Sequence, residues 1–186
     1  MRKGIALTVL LIGVSALAFG QISVLNTTGL VEVQTAGGWE IVQAGDELAR
    51  NAVIATGFRS SAVLQIGSSR VTVEPLSELT VAELASSGGN ESVELSLPFG
   101  RIRAEVNKES NVSAIDFRVT SPVSTAAVRG TTFDYDGVAL NVLDGRVALS
   151  NAYGQWHSVA AGQESRAYRW TISSVEAVAA EQAAGE

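Results

Sequence analysis

His157 and Ser158 are the residues of this sequence that come nearest to a nucleophilic catalytic pair. The chain has one histidine and no cysteine, so a histidine-dependent mechanism must use His157 and a cysteine nucleophile is excluded. Neighbouring residues on a strand point to opposite faces, which separates the two side chains. The Gly-x-Ser-x-Gly turn that exposes a hydrolase serine is absent from the sequence. The pattern favours a surface or half-buried histidine and predicts that the protein is not an enzyme.

Asp134, Asp136 and Gly137 begin like a calcium-binding loop, but the later ligands and the closing glutamate are missing. The two aspartates would share one face of a strand, which leaves an incidental weak cation site as an alternative. Other acidic residues are scattered over outward-facing strand positions, whereas glycoside hydrolysis needs a carboxylate pair in a cleft. We therefore predict a solvated sheet face with no metal and no cofactor.

Four aromatic residues lie close together late in the chain: Tyr153, Trp156, Tyr168 and Trp170. Exposed tryptophan and tyrosine rings on a strand can stack on sugars or anchor a protein partner. Packing in the core is the structural alternative, and the sequence favours it.

The composition limits the classes of partner. The 186 residues carry 13 lysines and arginines against 19 aspartates and glutamates, a formal net charge of −6 at pH 7. A nucleic-acid-binding face needs an excess of basic residues, so no nucleic-acid partner is expected. With 46% hydrophobic and only 17% charged residues, the chain has the composition of a folded protein, and its length suits one domain.

The first 20 residues have the layout of a secretory signal peptide. Arg2 and Lys3 precede an apolar run over residues 5–19, which is shorter than the roughly 20 residues that a helix needs to cross a bilayer. Ala18 and Gly20 place small side chains before a cut at Gln21. We predict an extracytoplasmic protein, periplasmic or secreted, with no membrane span after cleavage. A retained N-terminal anchor is the alternative.

Apolar and polar residues alternate along most of residues 21–170, as in strands with one face in a core and one in water. Ile102, Ala104 and Val106 are one example, and Asp144–Gly145 between two such runs is a hairpin signal. The pattern predicts an all-β domain over residues 21–170. Its architecture is expected to be a single sandwich or jelly-roll-like roll of about ten or more short, mainly antiparallel strands.

Three segments interrupt this alternation. Clustered serine, glycine, asparagine and charge predict loops over residues 86–90 and 107–112. At the end of the chain, Ser173 with Glu176 three residues later forms a capping-box pattern. Residues 171–186 are therefore expected to be a short helix or a disordered tail.

The sequence TSPVSTAAVRGTTF, residues 120–133, resembles the central motif of the FecR domain family of extracytoplasmic modules. Further matching segments are GDEL at residues 45–48, SLPFGRIRAEV at 96–106, LDGRVALSN at 143–151 and AAGQE at 160–164. The resemblance covers about residues 45–166. The chain departs from the family in its opening segment, where Gly67–Ser68–Ser69 replaces the usual Asp-Gly turn.

The resemblance implies a set of motif residues that are either structural or in contact with a partner: Gly45, Asp46, Val128, Arg129, Gly130, Thr131, Phe133, Asp144, Gly145, Gly162 and Gln163. Gly130 permits a positive φ or a close backbone crossing, and Phe133 is expected in the core. Arg129 has a planar fork of donors that can tie together loop carbonyls or a carboxylate. On that reading, Arg129→Ala would lower the melting temperature by several degrees.

The family implies a non-catalytic interaction or signalling-type module whose partner is an unidentified envelope protein, outer-membrane or wall-associated. Only residues 1–4 precede the apolar segment, so we do not expect the cytoplasmic part of the family's relay in this sequence. One way to bind would be to add a strand to a partner's sheet edge. The alternative functions are a carbohydrate- or cell-wall-binding β module and, well behind it, a hydrolase built on a β-sandwich.

Overall fold

The computed structural model describes residues 22–107 and 113–177. These residues form nineteen strands and no helix. The strands are β1 Ile22–Thr28, β2 Val31–Thr35, β3 Gly38–Ile41, β4 Glu47–Leu48, β5 Val53–Thr56, β6 Ser61–Ile66, β7 Ser69–Val73, β8 Glu78–Ser87, β9 Asn90–Phe99, β10 Ile102–Val106, β11 Ala114–Thr120, β12 Ser124–Val128, β13 Thr131–Tyr135, β14 Ala139–Asp144, β15 Arg146–Asn151, β16 Trp156–Ala160, β17 Gln163–Tyr168, β18 Thr171–Ile172 and β19 Glu176–Ala177. The predicted all-β sandwich is confirmed.

The strands are divided between two sheets. The ten-stranded sheet has the order β18-β17-β14-β13-β10-β7-β6-β1-β4, with β19 paired to β17, and the nine-stranded sheet has the order β16-β15-β12-β11-β9-β8-β5-β2-β3. The pairing is antiparallel except between β9 and β11, which run parallel. Alternate residues of both sheets are buried between them, and the largest fully buried side chains are Tyr135, Phe117 and Phe133. Within the described ranges, no helix could cross a membrane.

The chain passes repeatedly from one sheet to the other, and each passage that the structure describes in full uses left-handed backbone. Nine passages lie wholly within the described residues. Each contains one residue with φ between +55° and +97°: Gly29, Gly45, Asn51, Arg59, Leu76, Gly100, Gly130, Gly145 and Gly162. A side chain makes this conformation unfavourable by about 1–2 kcal/mol, which explains why most of these positions are glycine.

The helix predicted near the C-terminus is absent from residues 171–177, which form β18 and β19 along the edge strand β17. Ser173 does not cap a helix. Its backbone N–H donates to the Arg166 carbonyl at 2.8 Å, and its hydroxyl accepts the Arg166 N–H at 2.9 Å. The edge of a sheet offers unpaired backbone groups that outweigh the weak local preference for a helix. Residues 178–186 and the predicted signal peptide lie outside the described residues.

The two predicted loops have different outcomes. Residues 86–90 contain the turn of the β8–β9 hairpin at Gly88 and Gly89. Most of the second loop, residues 108–112, lies outside the described residues.

A buried polar cluster lies between the sheets, around Tyr135. The Tyr135 hydroxyl lies 2.6 Å from the Ser124 hydroxyl, which donates to the Gly137 carbonyl at 2.8 Å. The Ser121 hydroxyl donates to the same carbonyl at 2.7 Å. Burial raises the pKa of Tyr135 because the charged phenolate would lose its hydration.

Gly145→Ala tests the passages between sheets, with Gly162→Ala as the matched control. Both glycines have positive φ, but a methyl group at 145 would lie 2.8 Å from the Gly130 carbonyl oxygen, whereas at 162 it would enter open space. We expect urea denaturation to show a loss of about 3 kcal/mol or more for Gly145→Ala and about 1 kcal/mol for Gly162→Ala. Equal losses would contradict the proposed close contact.

Tyr135→Phe tests the buried hydroxyl cluster. At neutral pH the variant should lose about 1–3 kcal/mol of unfolding free energy. A raised pKa in the folded state means that wild-type stability is full below about pH 10 and falls as the pH rises further. Denaturation from pH 8 to 11 should therefore show a smaller alkaline loss in Tyr135→Phe than in wild type. The exposed Tyr168→Phe is the control and should follow wild type.

Candidate interaction surfaces

Three motif glycines meet at one end of the sandwich, where β12–β13, β14–β15 and β16–β17 pass between the sheets. Gly145 lies against Gly130, and its carbonyl accepts the Ala161 N–H at 3.0 Å. The buried Thr131 donates its hydroxyl to the Arg146 carbonyl at 3.1 Å. Gly162 donates its N–H to the Val142 carbonyl at 2.8 Å, which links the third passage to β14. This part of the motif is a structural joint between the sheets.

Most other motif residues are also structural. Val128 and Phe133 are buried, and the Phe133 ring contacts Phe117 of the facing sheet edge-on, with centroids 6.4 Å apart. The Asp46 carboxylate accepts the Gln43 N–H at 2.8 Å and holds a turn, in which Gly45 has a φ of +96° and donates to the Val24 carbonyl. Gln163 accepts the Ala160 N–H with its side chain at 2.9 Å, and Asp144 is exposed.

Arg129 does not form the predicted network. Its side chain is exposed, and it makes no hydrogen bond or ion pair with any residue of the described ranges. The motif places Arg129 at the end of β12, just before Gly130 carries the chain to the other sheet, so the guanidinium points away from the core. The structure gives no basis for the expected loss of melting temperature and leaves Arg129 available to a partner.

The residues considered for chemistry are used in other ways. His157 is half-buried, and its buried Nδ1 has no hydrogen-bond partner among the described residues, while Ser158, its neighbour, accepts a hydrogen bond from Arg146 at 3.3 Å. Asp134 binds Arg103 through two hydrogen bonds of 2.7 and 2.9 Å, and this contact raises the pKa of Arg103. Asp136 accepts two backbone N–H groups of the turn that follows it. No group of three metal-ligating side chains occurs in residues 22–107 or 113–177.

The late aromatic residues are not in the core, which contradicts the packing alternative. Tyr153, Trp156, Tyr168 and Trp170 are 47–69% exposed. Tyr153 and Trp170 lie with ring centroids 5.2 Å apart and planes tilted by 34°, and the Arg169 guanidinium lies 5.7 Å from the Trp170 ring. Tyr153 and Trp170 contact each other at an angle and do not form a single flat platform.

A second exposed apolar surface lies at the opposite end of the sandwich from the motif glycines. We call it the apolar ridge, and it consists of Leu30, Phe58, Leu76 and Phe99, which are 49–73% exposed. The sequence analysis missed it because Leu30, Phe58 and Leu76 lie in three separate passages between the sheets and Phe99 lies at the end of β9, before a fourth passage. Only a large apolar side chain next to a turn, as in Gly57–Phe58, could have indicated it.

Hydrogen bonds hold the four passages of the ridge side by side. The Gly57 N–H donates to the Leu30 carbonyl at 2.9 Å, and the Leu76 N–H donates to the Gly57 carbonyl at 3.2 Å. The Ser77 hydroxyl accepts the Arg101 N–H at 2.8 Å and joins the passage that follows Phe99. These hydrogen bonds fix the backbone that carries the ridge side chains.

Two residues of the ridge passages have left-handed backbone without being glycine. Arg59 has a φ of +55° and Leu76 a φ of +56°. The Arg59 guanidinium lies 5.3 Å from the Phe58 ring. Bulky residues in this conformation reduce stability and often mark functional positions. The left-handed turns leave Phe58 and Leu76 pointing into solvent.

A comparison of the sequence with protein-family models establishes which family the chain belongs to. The sequence model described as "FecR protein" matches residues 52–148, just over half of the chain. The chain belongs to this family. The match includes the ridge residues Phe58, Leu76 and Phe99 as well as the motif around Arg129. No protein of curated function matches the sequence.

Two solved structures have a similar fold. Both are of a "putative anti-sigma factor" from Parabacteroides distasonis, with TM-scores of 0.55 and 0.54 and 14% sequence identity to this FecR-family chain. Each alignment covers 70% of this chain and 61% of the other, so the chain spans less than two thirds of their length. At this identity the likeness concerns the fold alone.

Leu76→Gly tests whether the ridge reduces stability. Glycine removes the left-handed strain, so we expect the free energy of unfolding to rise by about 0.5–1 kcal/mol. Leu143, another exposed leucine (46% against 57% for Leu76) with ordinary backbone in β14, provides the control. Leu143→Gly should lower the free energy by about 1 kcal/mol. A clear loss in Leu76→Gly, measured by urea denaturation, would show that Leu76 is structural.

Proposed function

We propose that this FecR-family chain is exported and acts outside the cytoplasm as a non-catalytic, signalling-type module. In this proposal it binds another envelope protein through the apolar ridge. The observation that carries the proposal is the ridge itself: four large apolar side chains exposed together at one end of a rigid sandwich. The family membership supports a signalling-type role, and the sequence of residues 1–20 supports export.

The energetics of the ridge favour a protein partner. Burying apolar surface stabilises a complex by about 25 cal/mol per Å², and aromatic anchors such as Phe58 and Phe99 are common at the centres of interfaces. Leu76 and Arg59 keep a strained backbone that presents these side chains to solvent. The strained backbone lowers the stability of the free protein, and the exposed side chains gain no packing there. Contacts with a bound partner would explain why this conformation is kept.

The polar geometry of the described residues supports a non-catalytic role. Asp134 and Asp136 are engaged by Arg103 and by backbone N–H groups, so neither is poised as a general acid or base. His157 and Ser158 are neighbours on a strand, and the contact of Ser158 is Arg146. These contacts position side chains for stability rather than for a reaction.

A carbohydrate- or cell-wall-binding module is the second candidate. The exposure of Tyr153, Trp156 and Trp170 favours it because such rings stack on sugar faces. The tilt of 34° between Tyr153 and Trp170 makes a flat platform for consecutive sugar units less suitable. We therefore rank this function below protein binding.

Site-specific photo-crosslinking in the producing cells tests the proposal. A crosslinker at Phe58 should capture one extracytoplasmic protein, whereas a crosslinker at the exposed Ser87, in the distant β8–β9 hairpin, should not. The captured protein is then purified, and its affinity is measured by calorimetry. We expect Phe58→Ser and Leu76→Ser to weaken binding at least tenfold, because the loss of a buried apolar anchor costs about 1.4 kcal/mol or more.

Trp156→Ser is the matched control, since it removes another largely exposed aromatic residue that lies away from the ridge. It should bind the captured protein like wild type. Equal capture from positions 58 and 87, or unchanged affinity of the ridge variants, would refute the assignment of the ridge. Binding of wall polymer that is lost only in Trp156→Ser would favour the second candidate.

A further inference from the structure

The outer face of the nine-stranded sheet carries a basic half and an acidic half in adjacent strands. Arg118 on β11 lies directly opposite Glu94 on β9, and Glu94 lies directly opposite Glu83 on β8. On the other side of Arg118, a shallow hollow is lined by Arg118, Arg129 and Arg146, together with the single acidic residue Asp116. Both halves belong to one continuous sheet surface, away from the apolar ridge.

The charges of this face are poorly matched within the chain. Glu83 and Glu94 are like charges in directly opposed positions, which is unfavourable in a sheet. Neither forms an ion pair or a hydrogen bond through its side chain with the described residues. Arg129 likewise forms no ion pair or hydrogen bond there, while Arg118 forms an ion pair with Asp116 at 2.8 Å. Opposite charges brought from outside would satisfy both halves.

Small side chains make the rest of the face accessible to a flat surface. The hollow beside the arginines includes Ala127, Ala148 and Ser158. Ser92 and Ser96 of β9 alternate with Glu94 on the same outer side. Because these side chains are short, the arginine and glutamate side chains extend furthest from the sheet between β8 and β15. They would be the first groups to contact a docked surface.

We propose that this face binds a second copy of the chain, with a two-fold axis parallel to the strands between β9 and β11. The rotation exchanges the positions of these neighbouring strands, so Arg118 of one copy faces Glu94 of the second copy, and Glu94 faces Arg118. Arg129, one strand further out on β12, then faces Ala85 on β8 of the second copy, two residues along that strand from Glu83. Glu94 thus meets an opposite charge directly, and Arg129 can reach Glu83 diagonally.

The arrangement of charge favours a second copy over an acidic polymer. A polyanion attracted to the three arginines would also be repelled by Glu83 and Glu94 on the neighbouring strands. The chain carries a net charge of −6, so association needs a locally complementary surface. The two-fold relation provides this without any further molecule.

The proposal goes beyond the proposed function and does not depend on it. An axis parallel to the strands keeps the apolar ridges of both copies at the same end of the dimer. A partner with two binding sites, or a pair of partners, would then meet two ridges at once.

Sedimentation velocity of the protein purified from cells that express the full sequence tests the dimer. At low salt and tens of micromolar protein, wild type should be dimeric, and the dissociation constant should rise at least tenfold at about 0.5 M salt. Arg118→Glu alone and Glu94→Arg alone should be monomeric, because each places like charges across the axis. Their equimolar mixture should form a heterodimer, since both contacts then join opposite charges.

Arg70→Glu makes the same charge change on the outer face of the other sheet and is the control. It should remain dimeric, and thermal unfolding shows that each variant is folded. A monomeric wild type at low salt, dimers of both single variants, or a mixture that stays monomeric would each overturn the proposal. Failure of the ridge variants to lose their partner, with an intact dimer, would affect only the proposed function.

Discussion

The architecture depends on a backbone constraint at the passages between its two sheets. A strand that leaves one sheet and enters the facing sheet has to reverse its direction within a few residues, and here each fully described passage does so through one left-handed residue. Where glycine occupies that position, the turn costs little and another chain segment can lie close to it. Gly145 against the Gly130 carbonyl shows how tightly the passages pack. Without these turns, consecutive strands could not pair within their own sheets and pack against the facing sheet.

The same constraint connects the fold to its candidate binding surface. At the end of the sandwich built from the FecR motif, the passages use Gly130, Gly145 and Gly162. At the other end, Arg59 and Leu76 adopt the same conformation with side chains, and Phe58 and Leu76 project into solvent. Passages join the sheets at both ends, but the ridge end also exposes large apolar side chains above its hydrogen bonds.

Sequence periodicity was sufficient to predict strands, their mainly antiparallel pairing and the buried Phe133, because alternation reflects one buried face per strand. It could not show which passages meet, since Leu30, Phe58 and Phe99 are distant in sequence and converge only through sheet topology. The helix predicted at Ser173 failed because pairing with β17 outweighed a local capping pattern. The network expected of Arg129 is not present among the described residues, and the sequence could not show this because a strand pattern does not indicate which way a charged side chain leaves the sheet at a strand end.

The conformation of Arg59 and Leu76 in solution is the most direct test of this account. Nuclear magnetic resonance can determine φ at both residues from the coupling and the distance between the amide and α protons. The account predicts positive φ at both, as at the glycines of the other passages. Negative φ at either residue would contradict it, because the apolar ridge would then not follow from the way the chain passes between its sheets.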